Sequence, residues 1–420
     1  EFKHMMEKEK ALNLIMNAAL EAAMPRGKFK HIPSPPKGDL ILLGAGKASA
    51  SMAAEFENSY NHPLKGLVIT RYGHFTDTKF VEVYEASHPN PDQAGLLATQ
   101  KLFNIANKAT KDDHIVFLIS GGASSLLTLP FNGVSFEEKQ RINNELLKSG
   151  APIDKMNIVR RSLSQIKGGR LAAAIFPASL TTYMISDIPG DDPAYIGSGP
   201  TIQANGKNED AISILDSYKI NISKKIHNII IKNSLPQLHN TPKYMLATPM
   251  MALKNAAKVA DEQGFIPIIL SDTLEGEAHV EGKKMAELAL RIKKNKKYKN
   301  INLNKPIILL SGGETTVTVK GNGKGGRNTE FMLSMAINLD KMKGISALAI
   351  DTDGIDGIED NAGAYISENT LNKTSSPNKN PENYLSNNDS YTFFKSIDDL
   401  IYTSPTLTNV NDFRAILIEP

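Results

Sequence analysis

Four glycine-rich segments follow apolar stretches of the chain and are suited to binding an anion. In open α/β sheets, ligands bind beyond the carboxyl ends of strands, where glycines let backbone N–H groups and helix N-termini approach an anion. One segment would say little, but four in one chain indicate a ligand that carries a phosphate or a carboxylate. The segments are residues 43–49, 119–125, 185–192 and 310–315.

The first segment places a cation at the start of a predicted helix. Gly44 and Gly46 have the spacing of a dinucleotide-binding fingerprint, but Ser49 stands where the third glycine would be. A lysine at a helix N-terminus opposes the helix dipole, which costs roughly a few tenths of a kcal/mol unless an anion lies there. Lys47 is therefore predicted to neutralise a phosphate or a substrate carboxylate. A solvent-facing helix start is the alternative.

A second glycine-rich loop, residues 321–327, contains four glycines and ends on Arg327. Every glycine costs entropy on folding, and a hairpin turn would explain only one or two of the four. The planar guanidinium of Arg327 suits a phosphoryl group or a carboxylate. The loop is not a P-loop, because no Ser or Thr follows its Gly-Lys pair. The composition therefore favours ligand binding over a purely structural turn.

Carboxylates cluster at three predicted loop tips. Carboxylate oxygens are ligands that Mg²⁺ prefers, although aspartates also cap turns. The run that begins at Asp351 lacks a bidentate Glu at its twelfth position and follows a strand, which excludes an EF-hand. The candidate residues are Asp187, Asp191, Asp192, Glu314, Asp351, Asp353 and Asp356.

Four further polar residues leave two interpretations open. His88 precedes a predicted helix, so it can cap a turn or contact a ligand. Arg160 and Lys167 lie about two helical turns apart, and Arg170 follows the paired glycines that end this segment. A cation on a helix is usually solvated, so ligand binding and a solvated surface are weighed equally.

Apolar stretches of strand type alternate with helical stretches, which predicts an α/β fold with mainly parallel sheets. Turn formers at 233–242 predict a seam between an N-terminal Rossmann-like domain, 6–237, and a C-terminal α/β domain, 238–420. Strands are predicted at 39–43, 66–70, 81–86, 114–119, 181–186, 243–247, 266–270, 306–310, 315–319, 347–350 and 415–417. Helices are predicted at 7–23, 47–57, 91–109, 135–148, 153–166, 250–263 and 277–293, with a broken helical stretch at 205–234.

The composition excludes several classes of protein. A net charge of +3 over 420 residues, without a basic stripe, argues against nucleic-acid binding. Without cysteine there is no disulfide framework, Cys-ligated zinc or thiol nucleophile. No apolar run is long enough to cross a bilayer, so we expect a cytoplasmic protein without membrane contact. Residues 1–5 are interpreted as a cloning remainder, and 369–388 as an exposed low-complexity loop.

Taken together, these segments resemble the class II glycerate kinases, whose C-terminal half is known as the MOFRL domain. The resemblance runs from about Met6 to the end of the chain. Ser124 and Leu407 depart from it, since more glycine is expected at both positions. The matching residues are 44–48, 87–89, 91–92, 95, 120–122, 166–171, 185–187, 189–193, 198–201, 311–315, 325–328, 330 and 352–357.

The resemblance implies transfer of phosphate from ATP to D-glycerate with Mg²⁺, giving 2-phosphoglycerate, in a ligand cleft between two α/β domains. It makes Lys47, Arg327 and Asp187 the catalytic candidates, and Asp187, Asp192 and Glu314 the metal candidates. It leaves open which of them does what. The remaining candidates for binding glycerate or ATP are Gly44, Gly46, Ser49, His88, Ser120, Gly121, Gly122, Arg160, Lys167, Arg170, Ser311, Gly312, Gly313, Gly325, Gly326, Asn328 and Asp353.

Two alternatives come from other functional classes. An NAD(P)H-dependent hydroxypyruvate reductase would need a nicotinamide site, but Thr70 and Arg71 stand where an acidic residue is expected. A non-catalytic sugar-acid sensor would have little use for acidic loop tips opposite cations. The sequence does not determine the oligomeric state, and a homodimer is one option.

Overall fold

The computed structural model describes residues 2–373 and 380–420, which form two compact units. The N-terminal unit comprises residues 25–246, and the C-terminal unit joins the first helix to residues 247–420. The predicted boundary at 237/238 differs from the observed division at 246/247 for two reasons. Lys243–Ala247 is the sixth strand of the N-terminal sheet, and the first helix, Phe2–Ala23, packs on helix Pro249–Glu262 of the C-terminal unit.

The N-terminal unit is built on a six-stranded sheet with the strand order of a dinucleotide-binding fold, β3-β2-β1-β4-β5-β6. The pairs among its first five strands are parallel, so the prediction of a Rossmann-like N-terminal domain is confirmed. The strands are β1 (Leu40–Ala45), β2 (Lys65–Arg71), β3 (Val81–Ala86), β4 (His114–Ile119), β5 (Ser179–Ile185) and β6 (Lys243–Ala247).

Strands β1 and β4 occupy the middle of this sheet. All six residues of β1 are buried, as expected for a strand covered on both faces. A second apolar cluster, which includes Ile142, Leu146, Val159 and Leu215, joins four of the helices. Helix α1 (Phe2–Ala23) belongs to the C-terminal unit. The α-helices of the N-terminal unit are α2 (Ser49–Ser59), α3 (Gln93–Lys108), α4 (Ala123–Leu126), α5 (Phe136–Lys148), α6 (Ile153–Ser162), α7 (Arg170–Ile175), α8 (Asp210–Ser217) and α9 (Lys224–Lys232).

The C-terminal unit contains a sheet of order β13-β12-β11-β14-β10-β7. Only β7 and β10 pair in parallel, and the other neighbours are antiparallel. The prediction of a mainly parallel sheet in this half is therefore wrong, because β14 enters between β10 and β11 in the opposite direction. The strands are β7 (Ile266–Glu277), β8 (Lys297–Tyr298), β9 (Ile301–Asn302), β10 (Ile307–Thr316), β11 (Ile345–Asp351), β12 (Gly363–Ile366), β13 (Leu400–Ile401) and β14 (Asp412–Ile418).

Helices of the C-terminal unit pack on this sheet, and their side chains Phe331, Met332 and Phe393 share a buried core with its apolar residues. Residues 374–379 of the predicted low-complexity loop lie outside the described residues. No helix among the described residues is long and apolar enough to span a membrane. The helices are α10 (Pro249–Glu262), α11 (Ala278–Asn295), α12 (Arg327–Leu339), α13 (Pro381–Ser386) and α14 (Ser390–Lys395).

Candidate active site

Two glycine turns lie side by side at the carboxyl ends of β1 and β4. In this strand order the chain reverses its winding between β1 and β4, and ligands bind at such a switch point. The backbone N–H of Lys47 donates to the Gly121 carbonyl (2.9 Å), and that of Ala48 donates to Ser120 Oγ (3.0 Å). The two predicted anion-binding turns are therefore joined into one structure.

Close backbone approach explains why this structure requires glycine. A Cβ at Gly46, whose φ is +131°, would lie 2.1 Å from Ser120 Oγ. A Cβ at Gly44 would lie 2.6 Å from the Leu118 carbonyl oxygen. Ser49 is fully buried, and its hydroxyl donates to the Ile69 carbonyl at 2.9 Å. Gly44, Gly46 and Ser49 thus shape the turn, and Ser49 supports it from behind.

Lys47 and His88 meet at Gly122. A Cβ at Gly122 would lie 3.1 Å from His88 Cδ2 and 3.3 Å from Lys47 Cγ, so both side chains pass over this glycine. Gly122 has φ +83° and precedes α4, which makes glycine favourable there on conformational grounds as well. Residues that are 34 or more positions apart in the sequence thus form one site with a cation and an imidazole.

The acidic loop that follows β5 lies at the next strand of the same sheet. Asp187 is half-buried, and Asp192 is exposed with one carboxylate oxygen accepting the Ala194 N–H at 2.9 Å. Asp192 also lines a cavity of about 140 Å³. The other polar side chains of this cavity belong to Asp154, Asn157, Arg161, Tyr195, Ser198 and Asn205.

Three cations of the N-terminal unit donate to neutral acceptors. Lys167 Nζ donates to the Ser124 carbonyl (2.5 Å), Lys139 Nζ to Thr128 Oγ1 (3.1 Å), and Arg160 Nε to Asn143 Oδ1 (2.8 Å). The exposed fractions of Lys167 and Lys139 are 1% and 9%, and Arg160 is half-buried.

The electrostatics of these cations are unfavourable in the protein alone. Burial, with the charge of Arg160, lowers the pKa of Lys139 to about 7. Burial, followed by the charges of Lys139 and Arg160, lowers the pKa of Lys167 well below its ordinary value. Burial also lowers the pKa of Arg160. These three residues are called the cation cluster below.

Arg170, in contrast, donates hydrogen bonds that connect separate segments of the N-terminal unit. Its guanidinium donates to the carbonyls of Arg161 (2.7 Å) and Lys167 (3.1 Å) and to Asn233 Oδ1 (2.9 Å). Burial, with the charge of Arg161, lowers its pKa to about 10. The structure therefore gives Arg170 a structural role, whereas the sequence analysis weighed a ligand contact and a solvated surface equally.

Arg327 of the C-terminal unit is surrounded by carboxylates. Its Nε donates to Asp412 Oδ1 (2.8 Å), one terminal nitrogen to Glu314 Oε1 (2.5 Å), and the other to Asp351 Oδ2 (2.6 Å). Burial alone would lower its pKa, but the charges of Asp412, Asp351 and Glu314 outweigh it and hold the pKa above the ordinary value. Glu314, which the sequence analysis expected to bind a metal, is thus paired with Arg327.

A buried carboxylate caps the helix that begins at Arg327. Asp356 accepts the backbone N–H groups of Asn328 and Thr329, each at 2.8 Å, where the helix dipole favours a negative charge. Burial raises the pKa of Asp356. The side chain of Asn328 donates to Asp412 at 2.9 Å and is fully buried. Asn328 therefore organises the helix start, and its role in binding a ligand stays a prediction.

Packing explains the glycines of the loop before Arg327. Its backbone N–H groups are held by Asn387, Asn388 and Asp389, and Cβ atoms at Gly321 and Gly323 would lie within 2.3 Å of this segment. A Cβ at Gly325 would lie 2.3 Å from Ser390 Oγ, and a Cβ at Gly326 would lie 2.3 Å from Asp356 Cγ. The expectation that these glycines chiefly bind a ligand is corrected, because close contacts within the unit require them.

The segment with Ser311, Gly312 and Gly313 is part of β10 and not a loop. The pairing of β10 with β7 is irregular on both sides of Ser311, which indicates β-bulges. A Cβ at Gly313 would lie 2.2 Å from the Leu274 nitrogen. The Gly312 carbonyl accepts from Arg414 at 2.9 Å, so these residues serve the sheet.

The remaining polar positions of this unit follow the same pattern. Asp353 is buried at 1% exposure, and one of its carboxylate oxygens accepts the Ile355 N–H at 2.9 Å. Leu407 has φ +64°, a conformation that favours glycine, in agreement with the glycine expected there. Ser124, the other departure, contacts the Ser198 hydroxyl at 3.0 Å and accepts from Lys167.

Asp412, Arg414 and Lys139 belong to these networks but were not named individually as candidates from the sequence. Asp412 and Arg414 lie at the start of β14, with Arg414 NH2 2.5 Å from Asp412 Oδ2, and their sequence resembles a polar loop. Lys139 lies in a charged helix, yet it shares the buried face with Ile142 and Leu146 at helical spacing. That periodicity was the available signal for Lys139.

Known proteins match this chain over nearly its whole length. Among family models, a domain of unknown function (DUF4147) matches residues 10–231, and the MOFRL family matches residues 307–412. A protein of Agrobacterium vitis is 44% identical over 97% of this chain and 94% of its own; its name gives hydroxypyruvate reductase as an unproven activity. The D-glycerate 2-kinase of Thermotoga maritima is 38% identical over 96% of this chain and 97% of its own. A crystal structure of glycerate kinase from Thermotoga maritima aligns with a TM-score of 0.88 at 37% identity, covering 98% of this chain and 100% of that one.

Proposed function

The chain belongs to the glycerate kinase family that carries the MOFRL domain, and from this premise we propose that it transfers the γ-phosphate of ATP to the 2-hydroxyl of D-glycerate. The observation that carries the proposal is the convergence of Lys47, His88 and Gly122 at the switch point of the N-terminal sheet. A cation beside a glycine turn at this place suits a phosphate or a carboxylate.

Phosphoryl transfer needs alignment and charge neutralisation more than covalent chemistry. The 2-hydroxyl oxygen forms a bond to the γ-phosphorus while the bond from that phosphorus to the ADP oxygen breaks. Lys47 offsets the negative charge on the transferring group, and Asp187 accepts the proton that the hydroxyl loses. His88 lies beside Lys47 and can donate a hydrogen bond to an oxygen of the bound ligand.

The acidic loop after β5 stays the candidate for a magnesium site. Asp187, Asp191 and Asp192 offer three carboxylates within six residues, and Mg²⁺ uses one or two carboxylates together with phosphate and water. When bound, the metal would neutralise charge on the phosphates. Glu314 fits less well, because its carboxylate pairs with Arg327 at 2.5 Å.

The role of Arg327 as a cation for the transferring group stays a prediction. A guanidinium has five N–H donors, and the three ion pairs described above fix its plane. Such fixing lowers the entropy cost of any further contact that Arg327 makes.

The reaction is tested with purified protein, ATP, Mg²⁺ and D-glycerate, followed by ³¹P NMR. We expect 2-phosphoglycerate, and none when Mg²⁺ is chelated. The 3-phospho isomer would contradict the proposed regiochemistry. Consumption of NADH on adding hydroxypyruvate, with no phosphoglycerate formed, would support the reductase instead.

The assignment of Lys47 is tested by substitution. Lys47→Met should lower kcat/KM for glycerate by about 10²- to 10³-fold, the usual effect of removing one group that stabilises a transition state. Lys37→Met is the matched control, since Lys37 is an exposed lysine of the same unit, and it should leave the rate unchanged. Equal rates in Lys47→Met and wild type would contradict the assignment.

The reductase alternative is carried by the name of the Agrobacterium relative. The end of β2, where an acidic residue would bind a ribose, holds Thr70 and Arg71, and Thr70 Oγ1 donates to the Lys47 carbonyl at 3.4 Å. This arrangement favours the kinase.

A cytoplasmic location is compatible with the absence of cysteine and stays a prediction.

A further inference from the structure

The cation cluster contains three positive side chains with no carboxylate partner. Within residues 2–373 and 380–420, the acceptors of Lys139, Arg160 and Lys167 are a hydroxyl, an amide oxygen, and the carbonyl and hydroxyl of Ser124. Arg170 also lacks a carboxylate partner among the described residues, but its guanidinium donates three hydrogen bonds, whereas each cluster cation donates one or two. The cluster cations are therefore less completely satisfied than Arg170.

Such an arrangement is costly unless something compensates it. Removing an ionised group from water costs several kcal/mol even after relaxation, and neighbouring like charges add to that cost. A methionine could fill the place of Lys139 between Ile142 and Leu146 without any of this cost. Packing alone therefore does not explain why these positions hold cations.

The cluster lies beside the candidate active site. Lys167 donates to Ser124, and Ser124 belongs to the short helix that follows the Gly121 and Gly122 turn. The Ser124 hydroxyl contacts that of Ser198, which donates to Asn157 Oδ1 at 3.0 Å. Ser198 and Asn157 also line the 140 Å³ cavity that Asp192 borders.

We propose that Lys139, Arg160 and Lys167 form a pocket for an oxyanion, which supplies the negative charge that the surrounding chain does not. The identity of the oxyanion rests on the proposed function: it is the carboxylate of the hydroxy acid or a phosphate group of the nucleotide. A carboxylate is planar and a phosphate is tetrahedral, and each has several oxygens that can accept hydrogen bonds at once. Two ammonium groups and a guanidinium supply the matching N–H donors.

The experiment measures binding to the full chain by isothermal titration calorimetry with three probes: D-glycerate, ADP and inorganic phosphate. Lys139→Met and Arg160→Gln are compared with wild type. The control is Lys148→Met, which removes an exposed lysine from the same helix, α5. We expect each cluster variant to weaken one of the two substrate probes at least tenfold, while the control binds all three like wild type.

The pattern of loss identifies the source of the oxyanion. Weakened D-glycerate binding with unchanged ADP assigns the pocket to the acceptor carboxylate, and the reverse assigns it to a nucleotide phosphate. Wild-type affinities for all three probes in both variants would overturn the proposal. If the wild-type protein forms no phosphoglycerate, the proposed function fails, but weaker inorganic phosphate binding in the variants would still support the pocket.

Discussion

Arg327 and the cation cluster are two solutions to the same problem, a buried positive charge. Arg327 has three carboxylates within 2.8 Å, two of them on side chains that are 6% and 0% exposed. Among the described residues Lys139 and Lys167 donate only to neutral acceptors, although they are 9% and 1% exposed against 22% for the Arg327 side chain. The C-terminal unit neutralises Arg327 with its own residues, whereas no carboxylate of the described residues pairs with the cation cluster of the N-terminal unit.

The difference separates structural cations from those that await a ligand. A cation with a full set of carboxylates is fixed in place by the fold, and removing it leaves buried negative charge behind. A buried cation with neither carboxylates nor a full set of hydrogen-bond acceptors destabilises the ligand-free fold, so its removal should help stability and harm binding. The sign of the stability change is therefore the measurement that separates the two cases.

The largest expected effect is the loss of the Arg327 guanidinium. Arg327→Met should lower the free energy of unfolding by about 3–5 kcal/mol, because Asp351 and Asp412 would stay buried after losing the positive charge of Arg327. Urea denaturation of the purified protein measures it. Lys324→Met is the control, since Lys324 in the same loop is exposed and 3.7 Å from Glu359, and it should change stability by less than about 1 kcal/mol. A loss no larger than the control's would mean that the three carboxylates are not held by Arg327.

The second effect has the opposite sign. Lys139→Met should raise the free energy of unfolding of the ligand-free protein by about 2 kcal/mol at pH 6, where the lysine is charged in both states, because an apolar side chain replaces an uncompensated buried charge. Urea denaturation at pH 6, in a buffer without phosphate or carboxylates, measures it, with Lys148→Met as the surface control. A destabilised Lys139→Met protein would remove the contrast with Arg327.

The smallest effect is the pH dependence of the difference in free energy of unfolding between Lys139→Met and wild type. The pKa of Lys139 is about 7 in the folded protein against an ordinary value of 10.5, so above pH 7 the unfolded chain binds a proton that the folded protein has lost. The contribution of Lys139 to the free energy of unfolding therefore rises as the pH increases from about 7 to 10.5, and it is lowest below pH 7. The groups that face Lys139 are Arg160, Lys167 and Thr128.

From pH 6 to pH 8, the advantage of Lys139→Met over wild type should shrink by about 1 kcal/mol. Comparing the two proteins cancels the titration of all groups that they share. A constant difference over this range would show that Lys139 does not lose its proton near pH 7.

The strands of the N-terminal sheet could be predicted to within two residues, because six-residue apolar runs between turn formers leave few alternatives. The predicted and observed bounds of β3 and β4 are identical. In the C-terminal unit, β12 and β13 have four and two residues, too few for a pattern to show. The antiparallel entry of β14 depends on contacts far apart in the sequence, which local patterns do not encode.

The candidate site was predictable as a set of separate motifs but not as an arrangement. Lys47 and His88 were each identified from their sequence neighbourhood, and only the fold shows that they meet at Gly122. The glycines before Arg327 were attributed to a ligand because their packing partners, Asn387 to Ser390, lie about 65 residues away. The family resemblance is confirmed, and it was specific because its motifs occur in the expected order along the whole chain.

The first helix has a consequence for how the protein is made. Its residues Leu12, Ile15 and Ala19 are fully buried, and its partners include Thr408, whose hydroxyl donates to Ala23, and Glu419, 2.7 Å from Lys8. At a synthesis rate of about 5–20 residues per second, roughly 20 to 80 s separate the helix from these partners. During that interval the helix can form only part of its native contacts, such as those with α10. The helix therefore completes these contacts only after residue 419 has been synthesised.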